Sequence, residues 1–339
     1  MAGLPHNATA MRHVVVTGAT GFIGSAVVRQ LLERGRRVLA VVEPGADGRN
    51  LDGLDVERLT ADIVDARALD GVCSGAEAVY HLAAVYKIWL PNPEVIYRVN
   101  VEGTTAVMLA AQKARVPRVV YTSSIAAVGL RGDGAPSDET VAFNLHGIAN
   151  DYILTKHLAE RIVLRFAAAG LPVVIVNPAF PFGERDRAPT PTGKILLDVV
   201  RSKSPGYLPG GFNAVDVEVV ALGHLLAEEK GRVGERYLLA DHDVSYKEFF
   251  ALASDVAGMS VPRREIPRPV AKAIAWSLEA VANHVTHREP LATYKAMQYA
   301  TRHAYFDPSK ARRELGLPSR PLRETITRAI AWFRDNGML

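Results

Sequence analysis

Tyr152 and Lys156 stand four positions apart in NDYILTKHLAERIVLRFA (150–167), a stretch with helical apolar spacing, so both side chains leave one face. A free tyrosine ionises near pH ~10, and acting as a general base near neutrality costs it about 4 kcal/mol. A neighbouring ammonium lowers that cost. Of the 11 tyrosines, only Tyr152 has a lysine four positions on. Ser123 and Ser124 close the run RVVYTSS (118–124), and a hydroxyl there could hold an oxygen beside the phenol. The same serines also read as a strand end with a capped turn.

The second constellation is glycine-rich. VVVT (14–17) runs into TGATGFIG, with Gly18, Gly21 and Gly24, and a helical pattern follows at once. Between a first strand and a first helix, such glycines permit a tight turn and let the backbone approach a pyrophosphate. The helix N-terminus supplies unpaired N–H groups. This predicts a dinucleotide site. Glu43 follows the next strand, VLAVV (38–42), and lies 19 residues beyond Gly24, where an acid reaches the adenosine ribose. A carboxylate there accepts the ribose hydroxyls of NAD and repels the 2′-phosphate of NADP, so NAD is expected over NADP. Arg49, in the following loop, argues the other way. Asp62 reads either as a contact to the adenine edge or as a helix cap in ADIVD.

These residues need a scaffold, and the chain supplies one. Six short apolar runs, at 14–17, 38–42, 56–59, 78–82, 118–124 and 173–177, alternate with helical patterns. Continuous apolar runs suit strands buried on both faces, hence an α/β fold with a doubly wound parallel sheet of Rossmann type. Regular alternation stops after Asn177-Pro178. We read residues 1–11 as a disordered tail and 12–180 as the dinucleotide-binding domain, with 213–240 and 306–336 returning to it. Residues 181–212 and 241–305 form a smaller C-terminal substrate-binding lobe.

Composition fits a soluble globular protein: 339 residues, 48% hydrophobic and 22% charged, with a scattered net charge of +4. That excess is too dispersed to predict a nucleic-acid partner. One cysteine, Cys73, cannot form an internal disulfide, and the opening residues lack a secretory pattern, so a cytoplasmic setting is expected. His284 and His287 make no zinc pattern, and no metal site is expected. The stretch 269–285 places Val270, Ile274, Leu278, Val281 and Val285 at helical spacing. It reads as a core helix of the lobe or as a surface making weak contact with a membrane.

TGATGFIG, HLAA (81–84), Asn100 in RVNVEGT, YTSS, YILTK, Asn177-Pro178 and the closing FDPSKARRELG (306–316) together resemble the extended short-chain dehydrogenases/reductases, across residues 12–336. The resemblance implies that Ser124, Tyr152 and Lys156 are catalytic, with Asn100 supporting a water link to the lysine. It implies a cofactor site of Gly18, Thr20, Gly21, Phe22, Ile23, Gly24, Glu43, Asp62 and Ile63, joined by Leu82, Ala83, Ala84, Ser123, Tyr152, Lys156 and Pro178. A homodimer is also implied. Within the family, YKIWLPNPEVIYRVNVEGT (86–104), RDRAPTPTG (185–193) and REPLATYKAMQYA (288–300) are similar to hopanoid-associated sugar epimerases, a branch near the dihydroflavonol reductases and 3β-hydroxysteroid dehydrogenases. Many sugar-nucleotide epimerases carry an arginine about ten residues before the closing segment. The neighbourhood of Met297 has none, and Arg302 is the nearest. The pocket mouth is expected instead from Val85, Tyr86, Ile88, Trp89, Leu90, Phe180 and Phe182, with Arg185 and Asp186 as polar exceptions, and it suits a flat apolar substrate. Two activities are therefore expected: dehydrogenation at a secondary alcohol of a sterol- or terpenoid-like molecule, or epimerisation of a nucleotide- or lipid-linked sugar.

Overall fold

The computed structural model describes residues 13–262 and 264–339, so the expected tail lies outside the described residues. The strands are β1 (His13–Thr17), β2 (Val38–Val42), β3 (Glu57–Thr60), β4 (Ala76–His81), β5 (Val119–Thr122), β6 (Val173–Pro178), β7 (Phe180–Phe182), β8 (Gly211–Asp216), β9 (Arg236–Leu239), β10 (His242–Ser245) and β11 (His303–Ala304). The helices are α1 (Phe22–Glu33), α2 (Glu94–Tyr97), α3 (Thr104–Lys113), α4 (Asp151–Ala168), α5 (Pro191–Val200), α6 (Val217–Lys230), α7 (Tyr246–Ala257), α8 (Arg268–Val281), α9 (Tyr294–Ala300), α10 (Ser309–Leu315) and α11 (Leu322–Asp335).

Seven strands form a parallel sheet in the order β3-β2-β1-β4-β5-β6-β9. The apolar runs explain it. In β1, Val14 and Val16 enter one core layer and Val15 the other, so the strand needs cover on both sides. Residues of α1 and α6 cover the first face, and residues of α3 and α4 cover the second. Strand order reverses between β1 and β4, which opens a crevice at the carboxyl ends of the strands. Gly35, at φ 71°, takes the left-handed turn after α1 that a side chain would disfavour.

After β6 the chain leaves the main sheet through β7, α5 and β8, and it returns as α6 and β9. A second sheet is built on β8, which pairs with β10, β11 and β7. Its core is aromatic, with Phe182, Phe212 and Phe249 in mutual ring contact. Between residues 245 and 300 the helical chain is interrupted twice. Gly258, at φ 70°, ends α7, and His287, at φ 50°, ends a π-helical turn that follows α8. The core-helix reading of 269–285 fails: α8 buries only Ala271 and Ala275, whereas Val270, Ile274, Val281 and Val285 are 47–71% exposed.

The first turn of the fold tolerates no extra atom. A Cβ on Gly24 would lie 2.0 Å from the carbonyl oxygen of Gly18. Gly24→Ala should therefore destabilise the protein by about 1–3 kcal/mol. Chemical denaturation checks this, and an unchanged midpoint contradicts it.

Candidate active site

A cavity of about 610 Å³ follows the carboxyl edge of the sheet, from the glycine turn to the aromatic lobe. At one end, Gly18 holds φ 69°, and a Cβ there would fall 2.6 Å from the amide nitrogen of Ala83. Helix α1 begins at Gly21 with no side-chain cap and no acid in its first turn, leaving its N–H groups and positive dipole end for an anionic ligand. Thr20, Phe22, Ile23 and Gly24 line the same end, with Glu43, Asp47, Asp62 and Ile63 beyond them. Asp62 lines the cavity and accepts the Val64 amide at 2.9 Å within a turn; no helix begins there, so the helix-cap reading of Asp62 is corrected. Arg49 is paired at the surface with Asp47, which its guanidinium and amide bond at 2.5–3.0 Å. This donor set suits a dinucleotide with its pyrophosphate at the helix start.

The wall opposite is the segment Leu82, Ala83, Ala84 and Val85, fixed by a chain of buried polar groups. Thr17 Oγ1 accepts the Ala83 amide at 3.3 Å and lies 2.7 Å from His81 Nδ1. The other ring nitrogen of His81 lies 3.0 Å from Thr104 Oγ1, whose proton goes to the Asn100 carbonyl. That arrangement leaves Nε2 as the donor. Burial lowers the His81 pKa to about 3, so the ring stays neutral. Asn100 belongs to the same wall. Its side chain accepts the Val85 amide at 2.7 Å and donates to the Val85 carbonyl and to Thr155 Oγ1. Both its side-chain donors are spent on clamping this wall to α4.

Asn150 caps α4 by accepting the Ile153 amide at 2.9 Å, which starts the helix two residues before Tyr152. Tyr152, Lys156, Ser123, Ser124 and Pro178 all line the cavity. Lys156 is buried, its ammonium donates to the Thr122 carbonyl at 2.8 Å, and it lies 5.5 Å from the Tyr121 ring centre. Burial lowers its pKa to about 8, with the Glu160 carboxylate pulling the other way. Burial also raises the Tyr152 pKa, and the Ser124 hydroxyl opposes that rise. In the protein by itself the ammonium donates to Thr122, and the Ser124 hydroxyl is the group that works against the rise in the Tyr152 pKa. Ser123 is turned away, donating to Glu160 Oε2 at 2.5 Å. Glu160 also accepts from Asn177 and pairs with Arg236 at 2.9 Å.

At the lobe end, Val85, Tyr86, Ile88 and Phe180 line the cavity as expected, and five expected residues do not. Phe182 is packed into the aromatic core of the lobe. Trp89 and Leu90 stand outside, with the Trp89 indole donating to Asn283 at 3.0 Å, beyond α8. Arg185, held at φ 73°, pairs with Glu218 at 3.1 Å and with Glu184. Asp186 is not its partner. That carboxylate is buried, accepts the amide and hydroxyl of Thr190, and has a pKa raised by burial to about 6. Residues not anticipated are Asn150, Thr190, Thr192, Ile195, Tyr246 and Tyr299. Thr190 before Pro191 carries a helix-start signal that could have placed it; Tyr246 and Tyr299 carry no local signal.

The model of the NAD dependent epimerase/dehydratase family matches residues 14–237. "Sterol demethylase protein B" of Methylococcus capsulatus is 36% identical over 326 residues, covering 96% of this chain and 99% of that protein. The crystal structure of gox2253 superposes with a TM-score of 0.87 at 40% identity, covering 96% of this chain and 99% of that one. A nucleoside-diphosphate-sugar epimerase of Pseudomonas aeruginosa superposes with a TM-score of 0.81 at 28% identity, covering 97% and 100%. The chain thus belongs to the NAD dependent epimerase/dehydratase family, the extended short-chain dehydrogenases/reductases, and is an oxidoreductase-type enzyme of that family.

Proposed function

We propose that the enzyme is an NAD-dependent dehydrogenase acting reversibly at a secondary alcohol or ketone of an apolar, ring-built substrate of sterol or terpenoid type, in the manner of a 3β-hydroxysteroid dehydrogenase. The observation that carries this reading is the charge of the cavity: among the described lining residues, Lys156 is the only lysine and there is no arginine. A sugar nucleotide would bury its diphosphate there without a cationic partner, at a cost of several kcal/mol. A flat hydrocarbon loses nothing. The relative named for sterol demethylation supports the same substrate class.

The groups divide the work. Gly18, Gly21 and the start of α1 would hold the pyrophosphate of NAD, and Glu43 its adenosine ribose. NAD held there would supply a hydride acceptor for oxidation and, as NADH, a hydride donor for reduction. Ser124 holds the substrate oxygen, and Tyr152 takes its proton in oxidation or returns it in reduction. Lys156, fixed by Thr122, keeps a positive charge beneath the site.

The second reading, epimerisation of a nucleotide- or lipid-linked sugar, is supported by the Pseudomonas neighbour. Net NADH formation with a sterol alcohol favours the dehydrogenase, whereas turnover with no net change in NADH favours the epimerase. Tyr152→Phe should lower kcat by about 10³-fold with NAD affinity within a few-fold, and undiminished turnover removes Tyr152 as the proton-transfer group. The Lys156 ammonium is present below about pH 8 and lost above it. Ketone reduction should therefore fall as pH rises through about 8, and Glu160→Gln, by removing the charge that supports the ammonium, should move that limb to lower pH. A limb that stays in place contradicts the coupling. Glu43→Arg should shift the NADP/NAD ratio of kcat/KM by about tenfold or more toward NADP, a change of about 1.4 kcal/mol. A wild type that already prefers NADP overturns the role given to Glu43.

A further inference from the structure

Helix α8 is built inside out. It buries the small Ala271 and Ala275, whereas Val270, Ile274, Trp276 and Val281 are 47–62% exposed. Val270, Ile274, Ser277 and Val281 fall on one stripe, and the exposed Ala273 joins that stripe to Trp276. Of the exposed residues of α8 only Arg268, the first, is charged; Lys272 and Glu279 are half-buried. The apolar surface continues past the helix in Val285 and Leu291, which are 71% and 93% exposed. A helix that faces water turns its charges outward, and an uncharged face of this extent marks an interaction surface.

This face borders the substrate end of the cavity. Glu279 accepts the Tyr294 amide at 2.7 Å and so fixes the start of α9, whose Ala296 and Ala300 line the cavity. Just past α8, Asn283 accepts from the Trp89 indole at 3.0 Å, and the segment leading to Trp89 contributes Val85, Tyr86 and Ile88 to the cavity wall. Tyr86 is itself 43% exposed. The rim of the face is cationic. Arg264 and Arg268 stand at the start of α8, and Arg288 and Lys295 follow its end; all four are exposed, and none is in an ion pair among the described residues. Of the three acids between 264 and 295, Glu279 holds the Tyr294 amide and Glu289 lies 3.9 Å from Lys194, which leaves Glu265.

We propose that this face rests on an anionic lipid bilayer, with the Val270, Ile274 and Val281 stripe in the head-group layer and the flanking cations on lipid phosphates. Its fourteen residues span about 21 Å, short of the ~30 Å apolar core of a bilayer, so α8 lies along the surface. An apolar substrate then passes from the bilayer to the cavity beside Tyr86. The choice of a bilayer rests on the apolar-substrate reading above and on the cationic rim, which a second copy of the chain would set against itself.

The test sediments the full chain at low salt with vesicles of phosphatidylcholine alone or in equal mixture with phosphatidylglycerol. Wild type should bind the mixed vesicles about tenfold or more tighter than the neutral ones. Ile274→Asp/Val281→Asp should lose about tenfold or more of that binding and keep the wild-type unfolding temperature, since both positions are exposed and outside the cavity. Arg288→Glu/Lys295→Glu, which leaves the apolar stripe intact, should lose the preference for anionic vesicles. Val233→Asp, at a 50% exposed valine between α6 and β9, should bind as wild type. Absence of binding, indifference to the anionic lipid, or equal loss in Val233→Asp overturns the proposal. A chain that stays off vesicles, and whose oligomer by light scattering dissociates in Ile274→Asp/Val281→Asp, gives the face to a second copy and also overturns it. Sedimentation needs no substrate, so a wild type that binds anionic vesicles through this face but reduces no sterol ketone supports the membrane face and removes the dehydrogenase reading alone.

Discussion

The hydrogen bond from the Lys156 ammonium to the Thr122 carbonyl fastens the first turns of α4 to the carboxyl end of β5. The register of the site follows from it. Tyr152 lies one turn earlier on the same helix, and Ser124 lies two residues beyond Thr122, just past the end of β5, so one bond sets phenol and serine hydroxyl on a common cavity. Glu160, one turn later, extends the anchorage by tying Ser123, Asn177 and Arg236 together behind the sheet. A buried ammonium needs such partners, because burial alone disfavours its charge.

The cavity is polar at one end and apolar at the other, and the asymmetry has a structural origin. The glycine turn and the uncapped start of α1 offer main-chain donors that only an anion of the cofactor type uses well. The lobe end is lined from β7, α5 and α9 by Phe180, Pro181, Ile195, Ala296 and Ala300, and the threonines that precede the two helices, Thr190 and Thr293, are consumed in capping them. Charge is thereby excluded from the substrate end without any single residue being responsible.

Much of this was legible in the residues. The parallel sheet follows from strands apolar on both faces, and the turn at Gly18 to Gly24 follows from glycines that no other residue could replace without a clash. Tyr152 and Lys156 were legible because four positions on a helix is a local relation. What was not legible depends on distant partners. Phe182 and Phe180 differ by two positions in one strand and both touch Phe212, but only Phe182 also packs on Phe249 in the lobe core. Arg185 goes to Glu218, and Asn100 to Val85, for reasons set by tertiary approach. The apolar spacing of α8 suggested burial, but spacing states which residues share a face and not what covers it.

The claim that Tyr152, Ser124 and the dinucleotide site meet at one reacting carbon is tested most directly by isotope transfer. NADH carrying deuterium at C4 of the nicotinamide, on the face the enzyme uses, is incubated with enzyme and a sterol ketone, and the product alcohol is examined by mass spectrometry. The account predicts a single deuterium on the new carbinol carbon. A product formed without the label, or labelled elsewhere in the molecule, contradicts it.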